Sequence, residues 1–141
     1  MAYVPNCKCD VFVSFANIDD AAIGDSPPWV SAFAGDLEKM LRFRLGMRED
    51  EELKVYLSGH STSEKGISLD ASRLDNASAA AVFLAVTSPA YAEDARTMRE
   101  LSAFRKGMGE AARIFAIEHS PIHPADGYPA SLRNVKRVVF W

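Results

Sequence analysis

The sequence predicts a single α/β domain built on a parallel sheet with helices on both faces. Two observations carry this reading. Short apolar runs alternate with stretches of helical periodicity along the whole chain, the order that builds a parallel sheet through helical crossovers. The central runs CDVFVSFA (9–16) and AAAVFLAVTS (79–88) are apolar nearly throughout, as strands covered on both sides are. A chain of 141 residues suits one core.

Taken in order, 9–16 reads as the first strand, where alternation gives way to Val and Phe. NIDDAAIGDSPP (17–28) reads as a loop, rich in Asp, Gly and Pro. Pro28 suits the first helical position, because its missing N–H is not needed there. Trp29, Val30, Phe33, Leu37, Met40, Leu41 and Leu45 then recur at helical spacing, and Gly46 is a natural stop. LKVYLS (53–58) is a second strand and GHSTSEKG (59–66) a polar loop. ISLDASRLDNAS (67–78) is a short helix with Ser68 as its cap. The strand at 79–88 ends at Ser88, which caps a helix with Pro89 at its first position, running to about Gly107. RIFAIEHS (113–120) is a fourth strand, PIHPADGYP (121–129) a loop, and VKRVVFW (135–141) a fifth strand. The apolar finish at Trp141 is what a domain cut from a longer polypeptide would show, with residues 1–141 as that single domain.

Composition narrows the function. The formal net charge is −3, and no basic stripe is interleaved with aromatics, so nucleic acid is not an expected partner. No apolar run approaches the ~20 residues that a membrane helix needs. The opening MAYVPNCKCD has neither a charged n-region nor an apolar h-region, and a cytoplasmic location is expected. Cys7 and Cys9 are too few for a disulfide framework. Their spacing is tighter than structural zinc sites favour, so the pairing of CKC with His119 and His123 is set aside and no metal is expected.

In open parallel sheets, ligands bind beyond the carboxyl ends of the strands. Those ends are Ser14–Asn17, Leu57–Gly59, Val86–Ser88 and Glu118–Ser120. The dinucleotide fingerprint G-x-G-x-x-G is missing after the first strand, where FANIDD has no glycine, and no P-loop spacing occurs. Thr87-Ser88 stands where a phosphate-accepting receiver domain would place an Asp.

Four stretches together resemble Toll/interleukin receptor (TIR) domains of the bacterial type. CDVFVSF (9–15) resembles their opening box, an apolar strand that follows an aspartate and ends in Ser plus an aromatic. WVSAFAGDLEKML resembles the first helix. YLSGHSTSEKG stands in the place of the loop through which TIR domains contact one another. AAVFLAVTSPAYAEDARTMREL resembles the third strand and third helix, with a Ser-Pro-x-Tyr run ahead of EL. The resemblance implies a flavodoxin-like, three-layer domain with a five-stranded parallel sheet. It also implies NAD⁺ as substrate rather than cofactor. Enzymatic members split the nicotinamide–ribose bond with a glutamate of the third helix, and the matching residue here is Glu100. The expected product is ADP-ribose or a cyclised form, in prokaryotic immune or anti-phage signalling. Substrate contacts are expected from Phe15, Ala16, Asn17, Gly59, Ser88, Arg96 and Thr97. Self-association with other TIR domains is expected through His60, Ser61, Thr62, Ser63, Glu64, Lys65 and Gly66. Two positions depart from the pattern: Arg96 stands where many members have Trp, and Leu57-Ser58 where many bacterial members have Arg-Asp.

Helical geometry places Thr97, Leu101, Phe104 and Met108 on one face and Glu100 at its edge, so Glu100 need not point into solvent. From the residues alone, an exposed Arg96–Glu100 pair four positions apart explains the charges more simply, and only the resemblance turns the reading toward a catalytic role. Asp19 and Asp20 read as loop or turn-capping residues, Trp29 as core, and the histidines as loop residues. The rival to an enzyme is a TIR interaction module that recruits partners and cleaves nothing.

Overall fold

A computed structural model describes residues 2–21, 25, 27–58, 67–108, 113–122, 129, 132 and 135–139, the side chains of 67–72 and 108 excepted. The strands are β1 (Cys9–Ser14), β2 (Val55–Leu57), β3 (Ala80–Thr87), β4 (Ile114–Glu118) and β5 (Lys136–Val139). They form one five-stranded sheet in the order β2-β1-β3-β4-β5, and every pairing is parallel. The helices are α1 (Trp29–Arg44), α2 (Ile67–Ser78), α3 (Pro89–Glu93) and α4 (Ala95–Met108), with a 3-10 turn at Asn17–Asp20. The expected three-layer α/β architecture is the one observed.

Strand alternation sorts the core into two sides. Val11, Val13 and Phe15 pack with Val30 and the apolar stripe of α1. Phe12 points the other way, toward Ala77 of α2 and Leu101 and Phe104 of α4. On that side Phe12 stacks on Tyr56 at 5.2 Å and on Phe83 at 5.5 Å, its register partners on β2 and β3. Phe83 in turn meets Phe104 at 5.3 Å. Such aromatic pairs add stability beyond the area they bury, and they fix α4 against the sheet.

At the opposite end of β1, buried Asp10 accepts three backbone N–H groups: Tyr3 at 2.9 Å, Val4 at 2.6 Å and Lys54 at 2.8 Å. It ties the N-terminal segment and the approach to β2 onto the central strand. Cys9 is a free, buried thiol. Burial first, then the neighbouring Asp10, pushes its pKa up to about 12, which makes it an inert core residue.

Local differences from the sequence reading have physical causes. Helix α1 starts at Trp29 with Pro28 as its N-cap. Buried Asp20 supplies the missing cap, accepting from the backbone N–H of Ser31 at 2.8 Å and from its hydroxyl at 2.6 Å. Asp20→Ala is expected to cost about 1 kcal/mol, read by chemical denaturation. Gly46 does stop α1: it sits at φ 61°, and the N–H groups of Gly46 and Met47 close on the carbonyls of Phe43 and Arg42, a Schellman cap. Helix α2 begins at Ile67, so Ser68 falls inside the first turn instead of ahead of it. The helix expected from 89 to 107 is broken at Asp94, whose backbone is extended. The Asp94 carboxylate accepts from the Arg96 N–H at 2.9 Å, and this local cap outcompetes helix continuation.

Gly107 of α4 lies close against the end of α2. A Cβ there would meet the Ser78 carbonyl oxygen at 2.1 Å. Gly→Ala inside a helix ordinarily gains about 1 kcal/mol. Here Gly107→Ala is expected to lose about 1–3 kcal/mol through overpacking, seen as a lower denaturation midpoint.

Candidate functional site

The strand order reverses between β1 and β3, so the crevice of such a sheet opens above their carboxyl ends. Glu100 lies against this edge from the α2/α4 side. The buried positions of α4 are Thr97, Glu100, Leu101 and Phe104, a complete i, i+3, i+4, i+7 stripe. Glu100 is therefore central to the apolar face and not at its edge. Its exposure is 0%.

Both carboxylate oxygens have neighbours. The Ser14 hydroxyl, at the end of β1, donates to Oε1 at 2.7 Å, and the Tyr91 hydroxyl of α3 donates to Ser14 Oγ at 3.0 Å. This chain fixes the Ser14 proton toward the carboxylate. On the other side, Arg73 Nε of α2 lies 2.8 Å from Oε2, with both side chains essentially inaccessible to water. The contact is an ion pair without the alignment of a hydrogen bond. Ser58, buried at the end of β2, faces the same carboxylate and favours its charged form. Burial pushes the Glu100 pKa above its ordinary value of 4.5, while Ser14, Arg96, Arg73 and Ser58 pull against that rise.

Arg96 does not pair with Glu100. Its Nη2 donates to the Phe15 carbonyl at 2.7 Å and its Nη1 to Asn17 Oδ1 at 3.3 Å, with Asp94 3.6 Å away. It braces the start of α4 against the loop after β1. Across that loop, the Ser88 hydroxyl donates to Asp19 and also accepts from the Tyr91 N–H at 3.1 Å, so β1 and β3 are bridged at the switch point.

The other expected contacts fall out as follows. Phe15 and Ala16 are buried, Phe15 within the core on the α1 side; it reaches the site only through its carbonyl. Asn17 is exposed. Ser88 and Thr97 are buried, and the Thr97 hydroxyl donates to the carbonyls of Tyr91 at 3.0 Å and Asp94 at 2.8 Å, stitching α3 to α4. Gly59 and residues 60–66 lie outside the described residues. Trp29 and His119 meet edge to face at 4.6 Å, joining the start of α1 to the end of β4; spacing gives no hint of it. Glu118, buried at the end of β4, faces Arg137 at 4.0 Å.

Sequence reasoning missed Arg73. A lone arginine in a short amphipathic helix ordinarily reads as a solvated charge, and nothing in spacing links positions 73 and 100. The available signal was its place one turn before Ala77, which is fully buried. Ser58 entered the sequence reading only as a departure from a pattern, yet it is buried at the end of β2 and favours the charged form of this carboxylate. Among the described residues, no group of acidic, His and Cys side chains could hold a metal ion, and no helix is long and apolar enough to cross a membrane.

Comparison with known proteins gives a fold. No family model and no curated protein matches the sequence. Among solved structures, the chain is similar to the TIR domain of the Toll-related receptor TRR-2 from Hydra magnipapillata. The TM-score is 0.54 over 94% of this chain and 85% of that one, at 13% identity.

Proposed function

We propose that this TIR-like domain cleaves NAD⁺ between nicotinamide and ribose, with the Glu100 carboxylate as the catalytic group. The observation that carries the reading is a fully buried carboxylate on α4, packed under the carboxyl ends of β1 and β2. Burying an ion pair is costly and gives little net stability, whereas buried, perturbed carboxylates concentrate at functional sites.

The chemistry suits a single acid. Nicotinamide in NAD⁺ is cationic and leaves neutral, so no general acid is required. The bond breaks toward an oxocarbenium-like ribose, and one ionised carboxylate steadies that charge. Ser14, backed by Tyr91, holds Oε1 as an acceptor and favours the ionised form. Arg96 of α4, held against Phe15 and Asn17 beyond the end of β1, is the cation we assign to the pyrophosphate. Water or a second atom of the ribosyl product then captures C1′, giving ADP-ribose or its cyclised form. We place this activity in prokaryotic immune signalling, with assembly through residues 59–66.

The Arg73–Glu100 pair favours a second reading, an interaction module in which the carboxylate is structural. Incubation of concentrated protein with NAD⁺ separates the two. Nicotinamide is expected to appear in proportion to time; association without nicotinamide release would leave the module.

A further inference from the structure

Resting on the proposed activity, we infer that Arg73 is an autoinhibitory latch: its guanidinium occupies the cation position that the substrate needs at Glu100. The geometry forces a choice between the two. Glu100 has no exposure, Oε1 is held by Ser14 and Oε2 faces Arg73 Nε at 2.8 Å. No ribose can reach this carboxylate until one partner withdraws. Ser14 cannot be that partner. It belongs to the central strand β1, paired on both sides, and Tyr91 holds its hydroxyl in place. Arg73 sits on α2, an outer-layer helix. Its last turn is anchored through buried Ala77, the Gly107–Ser78 approach and the Lys8–Asp75 pair. Arg73 lies one turn before that anchor, and the latch we infer opens by a swing of the helix about this end.

The chemistry of the exchange is matched. A guanidinium and the pyridinium–ribose linkage of NAD⁺ are both monocations, so substrate can take over the ion pair without leaving a bare buried charge. Among the described residues, the charged and titratable groups around Glu100 are Arg73 from α2, Arg96 from α4, Tyr56 from β2 and Tyr91 from α3. Of these, only Arg73 makes an ion pair with it among the described residues.

The test compares dilute wild type, Arg73→Met and Arg73→Lys for nicotinamide release, from mildly acidic to mildly alkaline pH, after circular dichroism shows each folded. Arg73→Met is expected to release nicotinamide about tenfold faster or more, because the closed population no longer dominates. Arg73→Lys is expected to return toward the wild-type rate. A folded Arg73→Met that is no faster than wild type at any pH overturns the latch. Hydrogen exchange on wild type decides independently of folding in the variants. Saturating NAD⁺ is expected to speed exchange across 67–78, and unchanged exchange during turnover contradicts the latch. Should concentrated wild type release no nicotinamide at all, the proposed activity fails first, a result distinct from a latch that fails in an active enzyme.

Discussion

Replacing Arg73 with methionine is expected to destabilise the fold by about 3–5 kcal/mol at neutral pH, because it leaves a buried carboxylate without its ion-pair partner. Methionine fills much of the arginine stem's volume, so the loss is electrostatic and not a cavity effect. Two further measurements separate the causes. The double variant Arg73→Met/Glu100→Leu is expected to recover most of the loss, since replacing a buried pair by apolar groups is often neutral or favourable. The pH dependence follows from linkage. The folded pKa of Glu100 is raised, so its contribution is fully present below the unfolded value of 4.5 and is lost as pH rises through the folded value. Removing Arg73 removes an influence that lowers this pKa and raises it further. The variant therefore continues to lose stability at pH where wild type has levelled off, and the gap between them widens from acid to neutral pH in denaturation midpoints. A gap constant with pH would mean that Arg73 acts through packing alone.

Glu100→Gln is expected to lower nicotinamide release by about 10²–10³-fold, the range seen when one preorganised electrostatic group is removed from a reacting centre. Glutamine keeps the volume and an oxygen that accepts from Ser14, but it leaves the buried Arg73 without its carboxylate and costs stability, so rates are compared on protein that circular dichroism shows folded. It carries no charge with which to steady a ribosyl cation. Ser14→Ala is expected to act in the same direction more weakly, by removing a hydrogen bond that favours the ionised form of Glu100, and its acidic limb should move to higher pH. Equal rates in Glu100→Gln and wild type would assign the chemistry elsewhere.

The layered fold was legible because it rests on local pattern. The apolar runs at 9–16 and 79–88 have the length and β-branching of covered strands, and Gly46 stops its helix for a purely local reason. Glu100 was singled out through the resemblance to TIR domains; helical spacing alone set it at the edge of the apolar face, where an exposed pair with Arg96 would have explained it. The site around it was less so, because its contacts span 86 residues to Ser14 and 27 to Arg73, distances at which no periodicity speaks. Arg96 misled for the converse reason: four residues from Glu100 it reads as a helix-surface partner, but the Asp94 cap restarts the helix and Arg96 reaches back to Phe15 and Asn17. Ser58 and Tyr91 show the same limit, since their hydroxyl groups acquire meaning only when tertiary packing brings Ser58 near the carboxylate and Tyr91 onto Ser14.

The most direct measurement of the central claim is the pH profile of kcat/KM for nicotinamide release, set beside the titration of the Glu100 carboxyl carbon followed by NMR in the same protein. Coincident curves are predicted, both with midpoints above the ordinary carboxylate value and with activity rising as the carboxyl ionises. Activity that is flat while Glu100 titrates, or that falls as it ionises, would contradict the account.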